Sequence, residues 1–419
     1  MTKILVSTMV GNALEWYDYA LYAQFATIIG IHFFPKSELT EILTFAVFAA
    51  GFIVRPLGAV VFGNIGDKVG RKFALTLGMI TMAIPTAAIG FLPSYETIGI
   101  AAPILLTVIR LIQGFSLGGE FSGCISYVVE SSEMKHRGLA GSSAFFSMCI
   151  GMLFGSFTAE FCKVVMSEEF LVSFGWRIPF VMGLFIGLIG LYIRTRLHES
   201  PLYLKAKENG NLSKTPVFDL VKHHKKTMLV AIGLYLSVTV PFYITTVYLS
   251  SFVEHLGFSS SCASLSNIAV LISMATSIII SAIISDKIGR KPVMIIACMM
   301  FLFSSYPLFW VMSHTKDSDV IIIASAILAA INGFFMGPIP TVLVELFPTK
   351  IRFTGVALSY NLSAAIFGGT SPMFIMILIK EFGDTSVIPY CLCNFVCISL
   401  ATLIFYRETY KNLLNESTE

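Results

Sequence analysis

Two short segments of this chain are near copies of one another, GNIGDKVGRK at 63–72 and AIISDKIGRK at 282–291. Their aspartates, Asp67 and Asp286, lie 286 − 67 = 219 residues apart in a chain of 419, so the second copy falls about half a chain after the first. Each copy is a cluster of charge and glycine held between two long apolar runs. A loop pinned in that way needs one spanning helix entering and one leaving, and this chain needs that arrangement twice. The sequence therefore reads as an internally duplicated helical protein.

The apolar runs decide the solvent. Mean hydropathy is +0.81, and 56% of residues are hydrophobic while only 13% are charged, against about 25% charged in soluble domains. A bilayer core of about 30 Å takes roughly 20 apolar residues per helix, and about 12 such segments can be placed. They lie near 4–31, 42–62, 73–92, 98–124, 139–161, 178–193, 227–252, 263–284, 293–312, 320–343, 354–379 and 387–405. Closed barrels, the other spanning solution, use strands of about 10 alternating residues, which these long uniform runs are not.

The fold expected is all-α and integral to a membrane, with 12 transmembrane helices in two pseudo-symmetric six-helix bundles. The bundles take residues 1–193 and 227–419, joined by a middle loop at 194–226. Roughly 21 of the 28 Lys and Arg gather in alternate loops, which puts those loops and both termini in the cytoplasm. Glu15 and Asp18 interrupt the first apolar run, so it reads as the first helix and not as a cleaved signal.

Several function classes fall away at this point. Eight cysteines form no CxxC pair, and Cys391, Cys393 and Cys397 sit in the last apolar run, where Cys behaves as a small hydrophobe, so no metal site is expected. A net charge of +3 is accounted for by loop asymmetry, and nothing points to nucleic acid. No cofactor motif is present. No nucleophile, His or Cys constellation stands at helix depth, which argues against an enzyme.

A second duplication accompanies the first. Glu130 precedes Arg137 by seven residues and Glu345 precedes Arg352 by seven, and each arginine is followed within three residues by a glycine. Each half thus carries an acid and an arginine after its second helix (Asp67 and Arg71, Asp286 and Arg290) and another pair after its fourth. Asp67 can pair with Arg137 and Glu130 with Arg71, with Asp286, Glu345, Arg290 and Arg352 repeating the scheme. Such pairs would latch the cytoplasmic side in one state and break in the other. Gly70 and Gly289 suit a tight turn with positive φ.

Ionisable groups at helix depth cost about 2.5–3.5 kcal/mol each on insertion scales, so they need partners or a role. Glu15 and Asp18 are three apart on the first helix, with Tyr19 and Tyr22 on the same face. Arg55 lies inside the second helix, and Arg110, followed by Gln113, inside the fourth. One reading is a static network of ion pairs joining helices. The other is an acid whose arginine partner comes and goes, so that it can load and release a proton.

The motifs GNALEWYDYALY at 11–22, RPLGAVVFGNIGDKVGRK at 55–72, RLIQGFSLGGE at 110–120 and LHESPLY at 197–203 are similar to those of the major facilitator superfamily. Within it they resemble the metabolite:proton symporter family, which includes bacterial proline/betaine, α-ketoglutarate, shikimate and citrate transporters. The resemblance covers essentially the whole chain. It implies a multi-pass protein of the bacterial cytoplasmic (inner) membrane, monomeric, that imports a small polar metabolite with protons by alternating access. It also implies proton coupling at Asp18 and Arg110, with Glu15 beside them, and a pathway lined by helices 1, 4, 7 and 10. The cavity residues expected are Asn12, Tyr19, Tyr22, Arg55, Gln113, Tyr235, Tyr243, Tyr248, Asn332, Tyr360 and Asn361. Arg110 suits a substrate carboxylate equally well, since a guanidinium binds one through two parallel hydrogen bonds.

Two acids against two arginines favours a zwitterion such as proline or betaine over an organic acid. A proton-driven exporter of amphipathic compounds and a non-transporting sensor are the other classes, the first disfavoured by the EWYDY and RPLG motifs. At the position 219 residues beyond Arg110 the chain has Ala329, so any proton machinery is asymmetric. The chain after Phe405 has no sustained heptads, unlike family members with a coiled-coil extension, so osmotic gating of that kind is not expected. Most phenylalanines are expected to face lipid.

Overall fold

The computed structural model describes residues 2–35 and 40–410, and the last nine residues, KNLLNESTE, lie outside the described residues. Eleven helices among the described residues are long and apolar enough to cross a membrane. In lipid, every backbone polar group must be satisfied within its own segment, and a continuous helix does this. The long helices are α1 (Thr2–Gln24), α2 (Thr40–Lys68), α3 (Arg71–Phe91), α4 (Ala101–Glu130), α5 (Arg137–Val165) and α6 (Arg177–Thr195), then α7 (Lys225–His255), α8 (Ser260–Ile288), α9 (Arg290–His314), α10 (Ser318–Leu346), α11 (Arg352–Phe382) and α12 (Val387–Phe405). The helix not counted among the eleven is α1, whose 23 residues span about 34 Å but include Glu15, Asp18 and several polar side chains.

The charged loops prove shorter than their sequence suggests. Helix α2 runs through Asp67 to Lys68 and α3 begins at Arg71, so only Val69 and Gly70 separate them. Gly70 takes φ 140° and Gly289, between α8 and α9, takes φ 103°. Asp67 and Asp286 therefore sit in the last turn of a helix, four residues before Arg71 and Arg290, instead of in a loop. The first apolar run is also broken, at Phe25, so that Ala26–Phe33 forms a short separate helix. The linker expected at 194–226 holds two short helices, Pro201–Glu208 and Pro216–His223, each with proline in its first turn, where the missing N–H costs nothing.

Packing is repeated in the two parts of the chain. Helices α2 and α4 meet backbone to backbone: a Cβ on Gly114 would overlap the carbonyl of Gly51, one on Gly58 the carbonyl of Phe115, and one on Gly118 the carbonyl of Arg55. The equivalent seam between α8 and α10 uses Gly333 against Met274 and Gly337 against Ser281. Between the two parts, α2 packs on α11 and α5 on α8. Phenylalanines divide about evenly between buried and exposed positions. The expectation that most face lipid is corrected here, because many fill the seams around the centre.

Helices α7 and α11 each contain one π-helical turn, Ile244–Tyr248 and Ala364–Gly368. Such turns recur at functional sites because the extra residue re-aims the side chains beside it. Here they follow Tyr243 and Tyr360–Asn361, side chains that point to the centre of the molecule.

Candidate functional site

Four of the charged residues at helix depth, Glu15, Asp18, Arg55 and Arg110, line one small cavity of about 30 Å3, whose walls also include Trp16, Tyr19, Phe52 and Gln113. The first helix supplies both acids because positions 15, 18, 19 and 22 fall on one stripe. Asp18 is fully engaged: Arg110 Nη1 donates to it at 2.6 Å and Gln113 Nε2 at 3.1 Å, while Gln113 also donates to Thr86 at 2.8 Å. The Arg110 guanidinium lies over the Tyr22 ring, 3.9 Å from its centroid, a cation–π contact that supports the charge without another acid.

Glu15 contrasts with Asp18. Its carboxyl is 2% exposed, and neither oxygen has a hydrogen-bond partner among the described residues. Arg55 meets no carboxylate within 4 Å among the described residues. It reaches instead from α2 to α11, donating to Tyr360 Oη at 2.6 Å and Asn361 Oδ1 at 3.2 Å. Asn361 in turn donates to the Gly118 carbonyl of α4 at 2.8 Å. The four charges are thus one closed pair, Asp18–Arg110, and one separated pair, Glu15 and Arg55.

A second cavity of about 20 Å3 adjoins the first, with Trp16 in the wall of both. Its lining is aromatic: Trp16, Phe145, Tyr235, Phe242, Tyr243 and Tyr360. Of the residues expected around the pathway, Tyr19, Arg55 and Gln113 line the first cavity and Tyr235, Tyr243 and Tyr360 the second. The others lie elsewhere. Asn12 donates to the Ala144 carbonyl at 2.6 Å and ties α1 to α5. Tyr22 donates to the Thr44 carbonyl at 3.0 Å. Tyr248 packs on Phe252, and Asn332 is buried in α10, lining neither cavity. The centre therefore draws on α2, α5 and α11 as well as α1, α4 and α7, because α2 and α11 cross there.

At one end of the bundle the duplicated charges form two stations that tie the parts of the chain together. Asp67 pairs with Arg71 at 3.0 Å and accepts from the Phe353 and Thr354 N–H groups at 3.1 and 2.9 Å, so it caps the start of α11. Asp286 does the same in reverse, pairing with Arg290 at 2.7 Å and accepting from Gly138 and Leu139 N–H at 2.8 and 2.9 Å, at the start of α5. Asp67 does not meet Arg137, the partner that spacing suggested, because the first turn of α11 occupies its acceptor positions. Glu130 lies between Arg71 at 3.2 Å and Arg352 at 2.9 Å, and Arg290 is 3.6 Å from Glu345. The Arg137 carbonyl accepts from Thr341 at 2.8 Å.

Sequence reasoning missed what covers these stations. After α6, Glu199 accepts from the Lys72 N–H at 3.2 Å, Ser200 donates to Glu130 at 2.5 Å, and Tyr203 donates to the Lys68 carbonyl at 2.9 Å. After α12, Glu408 accepts from the Lys291 N–H at 2.8 Å, Thr409 donates to Glu345 at 2.5 Å, and Tyr410 donates to the Asp286 carbonyl at 2.9 Å. A glutamate, a hydroxyl and a tyrosine strap each station in the same way, and Tyr410 also donates to the carbonyl of Lys287, the counterpart of Lys68, at 3.2 Å. Arg71 lies over Tyr203 and Arg290 over Tyr410. Burial pushes the Glu199 carboxyl above the usual glutamate range, although the Ser200 and Lys72 N–H groups act the other way. The signal was present, as an ES and an ET after the last helix of each half. Also unforeseen was the buried Glu120–Arg194 pair, which joins α4 to α6 beside Gly11.

Comparison with known proteins gives a consistent result. The sequence model of the Major Facilitator Superfamily matches residues 8–372. The chain is 34% identical over 430 residues to a glycine betaine/proline/ectoine/pipecolic acid transporter of Dickeya dadantii, covering 100% of this chain and 85% of that protein. It is 33% identical over 430 residues to a proline/betaine transporter of Salmonella typhimurium, covering 100% and 86%. Among solved structures, the proton:xylose symporter XylE overlays with a TM-score of 0.81 at 19% identity, covering 99% of this chain and 98% of that one.

Proposed function

The chain belongs to the Major Facilitator Superfamily, and from that premise we propose that it imports a small zwitterionic osmolyte of the proline or betaine kind together with protons, by alternating access across the bacterial inner membrane. The carrying observation is the charge arrangement at the centre: a separated Glu15 and Arg55 beside the closed Asp18–Arg110 pair, all walling one small cavity. A zwitterion presents one charge to each member of a separated pair. The names of the relatives, which transport proline and betaine, support the same substrate class.

The proton step follows from electrostatics. An unpaired carboxylate buried at membrane depth is costly, and a proton or a cationic ligand removes that cost. Glu15 is the group in that condition, while Asp18 becomes so whenever Arg110 leaves it. Proton binding at either acid would release or reshape the hydrogen bonds around Arg110 and Arg55, and Arg55 holds α2 to α11. The two charged stations act as the cytoplasmic latch: closed here, they hold the start of α11 to α2 and the start of α5 to α8. The molecule would work as a monomer whose two bundles, 1–193 and 227–419, rock about the central site, with the middle loop at 194–226 between them.

The test is uptake of labelled proline and glycine betaine into proteoliposomes, with and without an inward proton gradient, for wild type, Asp18→Asn and Glu15→Gln. Gradient-stimulated uptake is expected, lost in the variant that removes the proton carrier while exchange of substrate persists. Uptake that ignores the gradient in wild type would sink proton coupling. A second reading, import of an organic acid, is favoured by Arg55 having no carboxylate within 4 Å. Citrate and α-ketoglutarate in the same assay decide it.

A further inference from the structure

We propose that the aromatic cavity is the subsite for the cationic end of the substrate, and that it selects a fully N-methylated ammonium over a primary or secondary one. Six aromatic residues line the box, and neighbours among them stand nearly perpendicular: Trp16 and Phe242 at 5.6 Å and 82°, Phe242 and Tyr243 at 5.4 Å and 87°, Tyr235 and Tyr360 at 5.2 Å and 80°. Such an arrangement presents ring faces and edges to one small volume. No carboxylate lines it. An ammonium carrying N–H groups needs acceptors, and the box offers no carboxylate, only the neutral hydroxyls of Tyr235, Thr239, Tyr243 and Tyr360, of which Thr239 is bonded to Ser363 at 3.1 Å and Tyr360 accepts from Arg55. A quaternary ammonium needs none, and aromatic faces attract it directly.

The box already accommodates a cation at its edge, because the Arg55 guanidinium lies 5.2 Å from the Tyr360 ring centroid. The same guanidinium is the anchor for the substrate carboxylate. Trp16 supplies a second donor: its indole N–H is buried, has no hydrogen-bond partner among the described residues, and belongs to the side chain that walls both cavities. Cavities of about 30 and 20 Å3 hold only one or two water molecules each, so a substrate must widen and join them, with the Trp16 ring remaining in the wall of the merged site. The ligand that fits is compact, with its carboxylate about two bonds from a methylated nitrogen. This assignment rests on zwitterion import being the right reading of the site.

The probes are glycine and its mono-, di- and trimethylated forms, with choline as the cation that lacks a carboxylate. Binding to the purified full-length protein in lipid nanodiscs is measured by calorimetry. The expected result is affinity rising with each methyl group, at least tenfold from glycine to trimethylglycine, with choline at least tenfold weaker than trimethylglycine. Tyr235→Leu should flatten the series. Because that variant can fail to fold, fluorinated tryptophans incorporated in a Trp176→Phe, Trp310→Phe background give a second readout, in which trimethylglycine binding weakens stepwise as fluorination drains the Trp16 ring. A merely structural tryptophan would not give that trend. A flat methyl series in wild type, or one untouched by ring removal and fluorination while trimethylglycine still binds, overturns the box and leaves zwitterion import standing. Failure of every zwitterion to bind or be taken up overturns both.

Discussion

At the scale of single residues, the two acids of α1 have opposite surroundings and should respond oppositely to neutralisation. Asp18 is bound by Arg110 and Gln113, so Asp18→Asn leaves a buried guanidinium without its counter-charge, a loss of about 3–5 kcal/mol for a broken buried pair. Glu15 has no hydrogen-bond partner to lose among the described residues, so Glu15→Gln should leave stability within about 1 kcal/mol of wild type or raise it. Thermal melts of the two variants in the same detergent check this, and a larger drop for Glu15→Gln would show that the carboxylate is paired after all. Gly70 is the other residue with a sharp expectation. Its φ of 140° and the nearness of Glu199 leave no room for a Cβ, so Gly70→Ala should cost about 1–3 kcal/mol and displace the strap after α6. The charged residues were legible in the sequence because charge in an apolar run is conspicuous. Trp16, Phe52 and Phe242 were not, since an aromatic in an apolar helix carries no mark of which way it faces.

At the scale of elements, the straps are the feature with most consequence. One joins the end of α6 to the turn between α2 and α3 and the other the end of α12 to the turn between α8 and α9, each through a glutamate on a backbone N–H, a hydroxyl on the station's second acid and a tyrosine on a carbonyl. Since burial holds Glu199 toward its neutral form, Glu199→Gln should be tolerated, whereas Glu199→Ala removes the acceptor from the Lys72 N–H. Hydrogen exchange at Lys72 checks the difference: protection should fall in Glu199→Ala and persist in Glu199→Gln. On the other side, Thr409→Val with Tyr410→Phe should raise exchange across 286–291 with little change at 67–72. The helices were readable from apolar length alone, and their ends were not. Helix α2 continues through Asp67 because that carboxylate is consumed by the start of α11, a partner 286 residues away that no local pattern reveals.

At the scale of the whole molecule, the contacts of the proposed latch tie the two parts of the chain through Glu130–Arg352 and the two aspartate caps. Arg352→Ala removes a charge-assisted bond worth about 1.5–3 kcal/mol, enough to raise the latch-open population tenfold or more. Spin labels at Lys68 and Lys350 should report it as a growing long-distance population, and an unchanged distribution would count against the latch. The duplication that announced this architecture shows in the stations because their Asp, Arg and Glu residues repeat, while the central site, built from α1, α2, α4, α5, α7 and α11, does not repeat and gave only its charges away. The glycine seam between α2 and α4 has a mechanical corollary. Two helices whose backbones touch along Gly51, Gly58, Gly114 and Gly118 behave as one beam. Helix α4, at 30 residues, is about 45 Å long, so a tilt of about 10° swings its end by about 8 Å. Under the import proposed above, a lever of that length would turn a change of hydrogen bonding around one arginine into an aperture wide enough for a solute.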